Sequence, residues 1–248
     1  MITAPPIIDS TAPQAAAVLT DLLGVIQDLP IKQALVAESL AYGLLQGSSG
    51  HARWLAQRVP APSAPAGRVL TERAGNVLAI RLDRAAAYNA IDCTMRDALR
   101  AAFELAALDA EITRVTLSGA GKAFCIGADL SEFGTTRDPA TAHAIRRETL
   151  PAFAIADCAH KLEVHVHGAC VGAGLELAAF ARRITATPKA WFQLPELAMG
   201  LIPGAGGCVS VSRRIGAERT AELVLSGQRI SAQTALDWGL IDAIVGSS

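Results

Sequence analysis

The first quarter of the chain has the hydrophobic pattern of helices. Between Pro13 and Arg58, apolar residues recur every three or four positions, as in AAAVLTDLLGVIQDL and IKQALVAESLAYGLL. This spacing predicts amphipathic helices, and Pro30 suits the start of the second one. A turn at 47–50 separates a third short helix, HARWLAQR. We therefore predict a helical segment over residues 1–58.

A spacer and a change of pattern follow. The stretch VPAPSAPAG, residues 59–67, is rich in Pro and Ala and predicts an extended linker. In residues 68–248, short strand patterns alternate with helical ones, with helices expected at about 92–108, at 140–156 and from Gly172. The predicted strands are RVLTER, NVLAIRLD, RVTLSG, EVHVHG, RITATP, AWFQL and LIDAIV. The alternation predicts an α/β core with its site at the carboxyl ends of strands.

Composition and charge limit the classes of partner. The chain has 22 Lys and Arg against 23 Asp and Glu, so it lacks the broad positive field that holds nucleic acid or an anionic membrane. Its five cysteines are scattered and contain no C-x-x-C pair, which argues against a disulfide framework. The start lacks a secretory pattern, and the weakly polar stretch 168–181 is too short to span a bilayer. We expect a soluble, cytoplasmic protein.

Three glycine-rich segments are the candidates for chemistry: GAGKAFCIGADL, VHGACVGAGLELA and WFQLPELAMGLIPGAGG. Each alone has an ordinary interpretation as a turn or a helix start. A phosphate-binding P-loop is excluded because Lys122 is followed by Ala123, and a dinucleotide fingerprint is disfavoured because Leu177 stands where its third small residue belongs. The second and third segments each place one acid, Glu176 or Glu196, among apolar residues. Such surroundings raise the pKa of a carboxyl group towards the range useful for proton transfer.

Taken together, the segments resemble the crotonase (enoyl-CoA hydratase/isomerase) superfamily, from about Arg68 to Val245. The match includes the spacing of twenty residues from Glu176 to Glu196, which equals the spacing between the two hydratase glutamates of the family. The resemblance implies an α/β, crotonase-like (ββα spiral) core that adds water to a trans-2-enoyl-CoA to give a 3-hydroxyacyl-CoA. It assigns the dominant proton transfer to Glu196, and the positioning and activation of water to Glu176.

The resemblance also implies the rest of the site. The backbone N–H groups of Ala128 and Ala173 would form an oxyanion hole for the thioester carbonyl. The implied substrate-binding residues are Ala87, Lys122, Ile126, Asp129 and Gly172. No metal or redox cofactor is implied, and coenzyme A is part of the substrate. The family also implies a homotrimer or homohexamer.

Some positions depart from the family pattern. Ala86 stands where a basic residue often contacts the phosphates of coenzyme A, and Gln57 replaces another commonly basic residue. Lys122, Arg84 and Arg58 are candidates to replace them, although such residues are more often solvated surface charges. Recognition of the phosphates is therefore less well defined by the sequence than recognition of the acyl group.

Other functions stay open at this point. Family members that isomerise, hydrolyse a thioester or decarboxylate keep the fold, and a non-catalytic acyl-CoA-binding subunit would keep it too. The run of Glu163, His165 and His167 could project three metal ligands from one strand face, but no further ligand motif accompanies it. A nucleophilic hydrolase is disfavoured because the chain has no G-x-S-x-G.

The helical segment suggests a rearranged order. Family cores usually continue into C-terminal helices, whereas this sequence ends at GLIDAIVGSS, the point at which those helices normally follow the core. Residues 13–60 resemble those helices, with Trp54 at an aromatic position, and the spacer would join the former ends. We expect a circularly permuted crotonase. The alternative is an unrelated amphipathic arm for oligomer contact.

Overall fold

The computed structural model describes residues 12–59, 64–136 and 138–246. Its α-helices are α1 Pro13–Val25, α2 Ile31–Gln46, α3 Ser49–Gln57, α4 Cys93–Leu108, α5 Pro139–Thr149, α6 Pro151–Cys158, α7 Ala173–Ala178, α8 Gly207–Ser226 and α9 Ala232–Asp237. Its strands are β1 Arg68–Ala74, β2 Val77–Asp83, β3 Arg114–Gly119, β4 Leu162–Val166, β5 Ala169–Val171, β6 Arg183–Ala186, β7 Trp191–Gln193, β8 Ile230–Ser231 and β9 Ala243–Ile244.

Two sheets form the core. The larger sheet has the order β1-β2-β3-β4-β6-β9, with β1 and β2 antiparallel and the other pairs parallel. The smaller sheet has the order β5-β7-β8. Alternate residues of β2 (Leu78, Ile80 and Leu82) are buried, as expected for a strand with one covered face. The predicted α/β class is confirmed.

One predicted helix is divided in the structure. The pattern at 140–156 predicts one helix, but α5 ends at Thr149 and α6 begins at Pro151. Leu150 between them is extended (φ −67°, ψ 125°). Proline disfavours the helical conformation in the residue before it and has no N–H to donate, so Pro151 starts a new helix instead of continuing the old one. The break changes the direction of the chain beside the cavity described below.

The N-terminal helices belong to the same hydrophobic core. α1 packs against α8, and α2 packs against α5, α6 and α8. Leu19 of α1 and Leu35 of α2 are fully buried in the cluster that also contains the sheet residues. Polar contacts cross the same boundary, since Lys32 forms a 2.8 Å ion pair with Asp157. The segment is therefore packed onto the core and does not project from it.

Among the residues that the structure describes, no helix combines the length and the apolar character needed to cross a bilayer.

Packing of the N-terminal segment predicts that alanine substitution of two leucines of α2 changes the free energy of unfolding by different amounts. Leu35 is 1% exposed, whereas Leu40 is 56% exposed. Leu35→Ala should lower the free energy of unfolding by about 2–5 kcal/mol, because it leaves a cavity in the core. Leu40→Ala is the matched control on the same helix and should change it little. Urea unfolding of both variants measures the difference, and equal effects would contradict packing of α2 on the core.

Candidate active site

A cavity of about 460 Å³ opens where the N-terminal helices meet the core. Its wall is built from the loop after β3, the start of α7, the 3-10 helix Glu196–Met199, and side chains of α2 and α5. Both predicted acids and both predicted backbone donors line it: Ala128, Ala173, Glu176 and Glu196. Residues far apart in the sequence are thus brought together around one space.

Ala128 and Ala173 lie on two loops that touch. Each follows a glycine with positive φ, namely Gly127 (φ +105°) and Gly172 (φ +50°). A Cβ atom on Gly127 would lie 3.4 Å from the carbonyl oxygen of Val171 and 3.8 Å from the nitrogen of Ala173. Within the described residues, neither alanine N–H donates to another protein group. The two donors are therefore available to a ligand oxygen.

Backbone hydrogen bonds fix these loops to their neighbours. The N–H of Ile91 donates to the carbonyl of Gly127, and the N–H of Asp129 donates to that of Ile91, both at 2.8 Å. The strand β5 adds a second connection, because the N–H of Val171 donates to the carbonyl of Cys125 at 2.9 Å. Both alanine N–H groups are thus held in place before any ligand binds.

Glu176 is oriented by a turn of the main chain. The carboxylate is 2% exposed, and its Oε2 accepts hydrogen bonds from the N–H groups of Ala205 at 2.7 Å and Gly207 at 2.8 Å. Burial raises the pKa of Glu176 to about 7, against the opposing effect of these two donors. Its Oε1 has no hydrogen-bond partner among the described residues. That oxygen can accept a proton from a bound molecule.

The buried carboxyl group of Glu196 has fewer hydrogen-bond donors than that of Glu176. It begins a 3-10 helix, is 7% exposed, and has a buried Oε2 without a partner in the described part of the chain. Its Oε1 lies beside the loop that carries Ala173, since a Cβ atom on Gly172 would be 2.8 Å from this oxygen. Burial raises the pKa of Glu196 well above its ordinary value, and the charges of Glu176 and Glu38 raise it further. Glu196 is therefore suited to hold a proton near neutral pH.

Glu38 is a third buried acid that the sequence analysis did not predict. It lies on α2, is 1% exposed, and accepts a 2.7 Å hydrogen bond from the N–H of Gly206. The sequence contained a signal, because Glu38 occupies the apolar stripe of α2, three residues after Leu35 and four after Ala34. A charged residue at such a position must be buried with the stripe.

Other side chains of the N-terminal segment complete the wall. Tyr42 packs against Gly204, where a Cβ atom would come within 2.2 Å of the ring, and the Arg146 guanidinium lies 4.8 Å from the ring centre. On α3, the Nδ1 of buried His51 donates to the carbonyl of Met199 at 2.9 Å, in the 3-10 helix that begins with Glu196. The helices at the start of the chain therefore contact the 3-10 helix that carries Glu196 and the turn whose N–H groups bind Glu176.

The predicted substrate-binding residues divide into two groups. Ile126, Asp129 and Gly172 line the cavity. Ala87 is half-buried and Lys122 is exposed, and both lie outside this cavity wall. Roles for these two residues remain predictions.

Arg84 differs from the prediction for a phosphate ligand. Its side chain is 6% exposed and forms ion pairs with Asp129 at 2.7 Å and Asp92 at 3.6 Å. It therefore holds the loop that carries Ala128 and is not a solvated charge free to meet a phosphate. Arg58 stays at the surface of the site, where its guanidinium lies 5.7 Å from the ring centre of Trp54.

The histidine run near β4 has ordinary partners. Glu163 forms ion pairs with Arg114 and Arg182, and the ring of His165 is 3.0 Å from the hydroxyl of Thr185. In the described ranges, no three His, Cys, Asp or Glu residues are grouped as metal ligands would be. The strand therefore carries an ion-pair cluster.

Comparison with known proteins gives the same family as the sequence resemblance. The family model for enoyl-CoA hydratase/isomerase matches residues 72–248. Mevalonyl-coenzyme A hydratase of Beauveria bassiana is 33% identical over 178 residues, which are 68% of this chain and 64% of that protein. The 2,3-dehydroadipyl-CoA hydratase of Escherichia coli is 34% identical over 182 residues, covering 72% of this chain and 69% of that one. The chain thus spans about two thirds of the length of these two relatives.

Solved structures agree in fold. A putative enoyl-CoA hydratase/isomerase from Mycobacterium abscessus has a TM-score of 0.67 and 37% identity, covering 73% of this chain and 71% of the other. An enoyl-CoA hydratase subunit I from Geobacillus kaustophilus has a TM-score of 0.65 and 30% identity, with coverages of 72% and 68%. The crotonase-like core is thereby confirmed. The family match over 72–248 and these superpositions show that the chain belongs to the enoyl-CoA hydratase/isomerase family, the crotonase superfamily.

Proposed function

We propose that this protein is an enoyl-CoA hydratase, which adds water across the 2,3 double bond of a trans-2-enoyl-CoA to give a 3-hydroxyacyl-CoA. The observation that carries the proposal is the placement of two buried glutamates, Glu176 and Glu196, on one cavity with two unoccupied backbone donors. The two relatives described above are themselves named as hydratases of acyl-CoA substrates, which supports the same reaction class here.

The backbone donors would bind the thioester carbonyl. Attack at the β-carbon places negative charge on this oxygen as an enolate, and fixed N–H groups stabilise charge that develops in the transition state. Ala128 and Ala173 would each contribute about 3 kcal/mol in this way. Gly172 keeps the space between Ala173 and Glu196 open, because a Cβ atom there would lie 2.8 Å from Oε1 of Glu196.

The two acids would divide the proton transfers. Glu176 has two N–H donors on Oε2 and ionises more readily, so it takes a proton from water as the water oxygen bonds to the β-carbon. Glu196 lacks such donors on its buried oxygen and stays protonated, so it delivers a proton to the α-carbon as the enolate collapses. Transfer of the proton from Glu176 back to Glu196 through solvent restores the starting state. This scheme keeps Glu196 as the acid that completes the reaction.

Hydration is favoured over the other reactions of the family by the presence of both acids. Isomerisation, thioester hydrolysis and decarboxylation use the same oxyanion hole but need different groups beside it. A non-catalytic acyl-CoA-binding subunit would not need two desolvated carboxyl groups, which are costly to bury without partners. Loss of enoyl absorbance on mixing with crotonyl-CoA distinguishes these functions.

The N-terminal helices would take the place of the C-terminal helices of other family members, as in a circular permutation. Support comes from their contacts around the site: Tyr42 lines the cavity, Glu38 accepts from the N–H of Gly206, and His51 donates to the carbonyl of Met199. In both structural comparisons, more than a quarter of either chain lies outside the superposed part. A permutation also predicts that Ser248 lies close to the residues before Pro13. Apart from Ala12, these residues lie outside the part of the chain that the structure describes. Moving residues 1–60 behind Ser248 with a flexible joint should leave a folded, active enzyme.

We further propose a cytoplasmic homotrimer or homohexamer. Exposed apolar side chains on the N-terminal helices, Val25, Leu40 and Leu44, are suited to subunit contact. The five cysteines are free, which suits a reducing compartment. Light scattering of the purified protein measures the subunit number, and cell fractionation measures the location.

Removal of either acid should abolish most hydration. Glu176→Gln and Glu196→Gln should each lower kcat about a hundred- to ten-thousand-fold, because positioned proton transfer contributes on that order. The double variant should be little worse than either single one, since residues that act as a unit are non-additive. Steady-state kinetics with crotonyl-CoA and binding of a saturated acyl-CoA measure both effects. Near-normal turnover in either folded variant would contradict the mechanism.

The pH dependence follows from the different proton affinities of the two acids. Hydration needs Glu176 ionised and Glu196 protonated. Because the pKa of Glu176 is raised to about 7, kcat/KM should rise with pH through this value and fall at higher pH as Glu196 ionises. A plot of log kcat/KM from pH 5 to 10 measures both limbs. A rise centred near the ordinary glutamate value of 4.5 would contradict the assignment.

The oxyanion donor can be removed with little change to the helix. Ala173 is the first residue of α7, a position that accepts proline because its N–H has no partner within the helix. Ala173→Pro should therefore lower kcat about a hundredfold or more through loss of one donor. Ala173→Gly keeps the N–H and should lose much less. Equal losses in the two variants, compared in the same assay, would show that backbone disruption and not the donor is responsible.

A further inference from the structure

Three consecutive backbone N–H groups at the start of α8 donate to two glutamates. Glu176 accepts from residues 205 and 207, and Glu38 accepts from Gly206 between them at 2.7 Å. Gly206 has φ +110°, and a Cβ atom there would come within 2.7 Å of the ring of Phe180. The turn that orients Glu176 is thus held from the other side by a residue of α2.

The surroundings of Glu38 contain several other titratable groups. They come from its own helix and from four other elements: Tyr42, Arg146, Glu176, Glu196 and Cys208. The one cation in this set, Arg146, is not in ion-pair contact with Glu38 and donates from Nε to the hydroxyl of Ser39 at 2.9 Å. Within the described residues, Glu38 therefore has no ion-pair partner, and its Oε2 has no hydrogen-bond partner.

The three carboxyl groups cannot all be ionised in one region shielded from water. Glu176 accepts two short N–H hydrogen bonds on a single oxygen, whereas Glu38 accepts one, from Gly206; the N–H groups of Cys208 and Val209 also lower the pKa of Glu38, but each has a smaller effect than Gly206. The negative charge is therefore most stable on Glu176. In agreement with this geometry, burial and the charge of Glu176 raise the pKa of Glu38 well above its ordinary value.

We propose that Glu38 is a positioning residue: as a neutral acid it accepts the N–H of Gly206 and so fixes the turn that holds Glu176 against its substrate water. The proposal rests on the proposed hydration reaction and adds a function for the N-terminal helices. They would supply a group on which the geometry of the site depends, besides covering the cavity. Glu38 itself need not touch the reacting atoms.

Two substitutions separate charge from hydrogen bonding. Glu38→Gln keeps an acceptor oxygen and is neutral, so kcat should stay within about threefold of wild type and the pH profile should not move. Glu38→Leu has similar size but no acceptor, so kcat should fall about 10- to 100-fold with little change in KM, because a small misplacement of a catalytic group is costly. Both variants are assayed with crotonyl-CoA across the pH range, after thermal unfolding confirms that they are folded.

Three results would overturn the proposal. A shift of the acid limb of the pH profile in Glu38→Gln would show that Glu38 is ionised in the working enzyme. Unchanged kcat in folded Glu38→Leu would show that Gly206 needs no acceptor. If the leucine variant does not fold, infrared spectra of wild type and Glu38→Gln test whether Glu38 is protonated. The carboxylic-acid C=O band of Glu38 should be present in wild type at neutral pH and missing in the glutamine variant. An unchanged band would contradict the neutral form.

The infrared comparison is also independent of the reaction. If wild type fails to hydrate crotonyl-CoA and longer enoyl-CoA substrates, the proposed function is wrong, yet the loss of the Glu38 band would still report its protonation. If wild type hydrates these substrates and the glutamine variant loses activity, hydration stands and the role of Glu38 fails.

Discussion

A carboxylate shielded from water keeps its charge only where fixed donors replace its lost hydration. In this protein those donors are the N–H groups of Ala205 and Gly207, both directed at one oxygen of Glu176. They leave the other oxygen available for chemistry. Glu196 has no comparable donors on its buried oxygen. The same desolvated space thus gives two identical side chains different proton affinities, and this difference is what an acid–base pair requires.

The fold supplies this arrangement by bringing the N-terminal helices and several loops of the core to one cavity. The larger sheet holds the loop with Ala128, and the smaller sheet leads through β5 into Gly172 and Ala173. Arg84 ties the first of these loops down through its ion pair with Asp129. α2 and α3 close the opposite side, where they contact the backbone beside Glu176 and Glu196.

Sequence reasoning located the features that are local in the chain. The alternation of strands and helices and the acids at 176 and 196 lie in continuous motifs, so patterns and family resemblance were enough to find them. It did not predict Glu38, whose partner Gly206 is 168 positions away, because a helical pattern says which face is buried but not against what. The break before Pro151 was missed for a different reason: the apolar spacing continues through it. Arg84 was expected at the surface because nothing near it in sequence reveals the two aspartates that surround it.

The burial of three carboxyl groups couples the folding of this chain to proton uptake. In the unfolded chain these glutamates are hydrated and ionised at neutral pH, whereas the folded state raises the proton affinity of all three. The native protein therefore binds more protons than the unfolded one. Their contribution to stability is fully present below the ordinary value of 4.5 and is lost as pH rises, for Glu176 through about 7. Because Glu38 on α2 is buried against Gly206 at the start of α8, docking of these two helices should be accompanied by uptake of a proton from solvent at neutral pH.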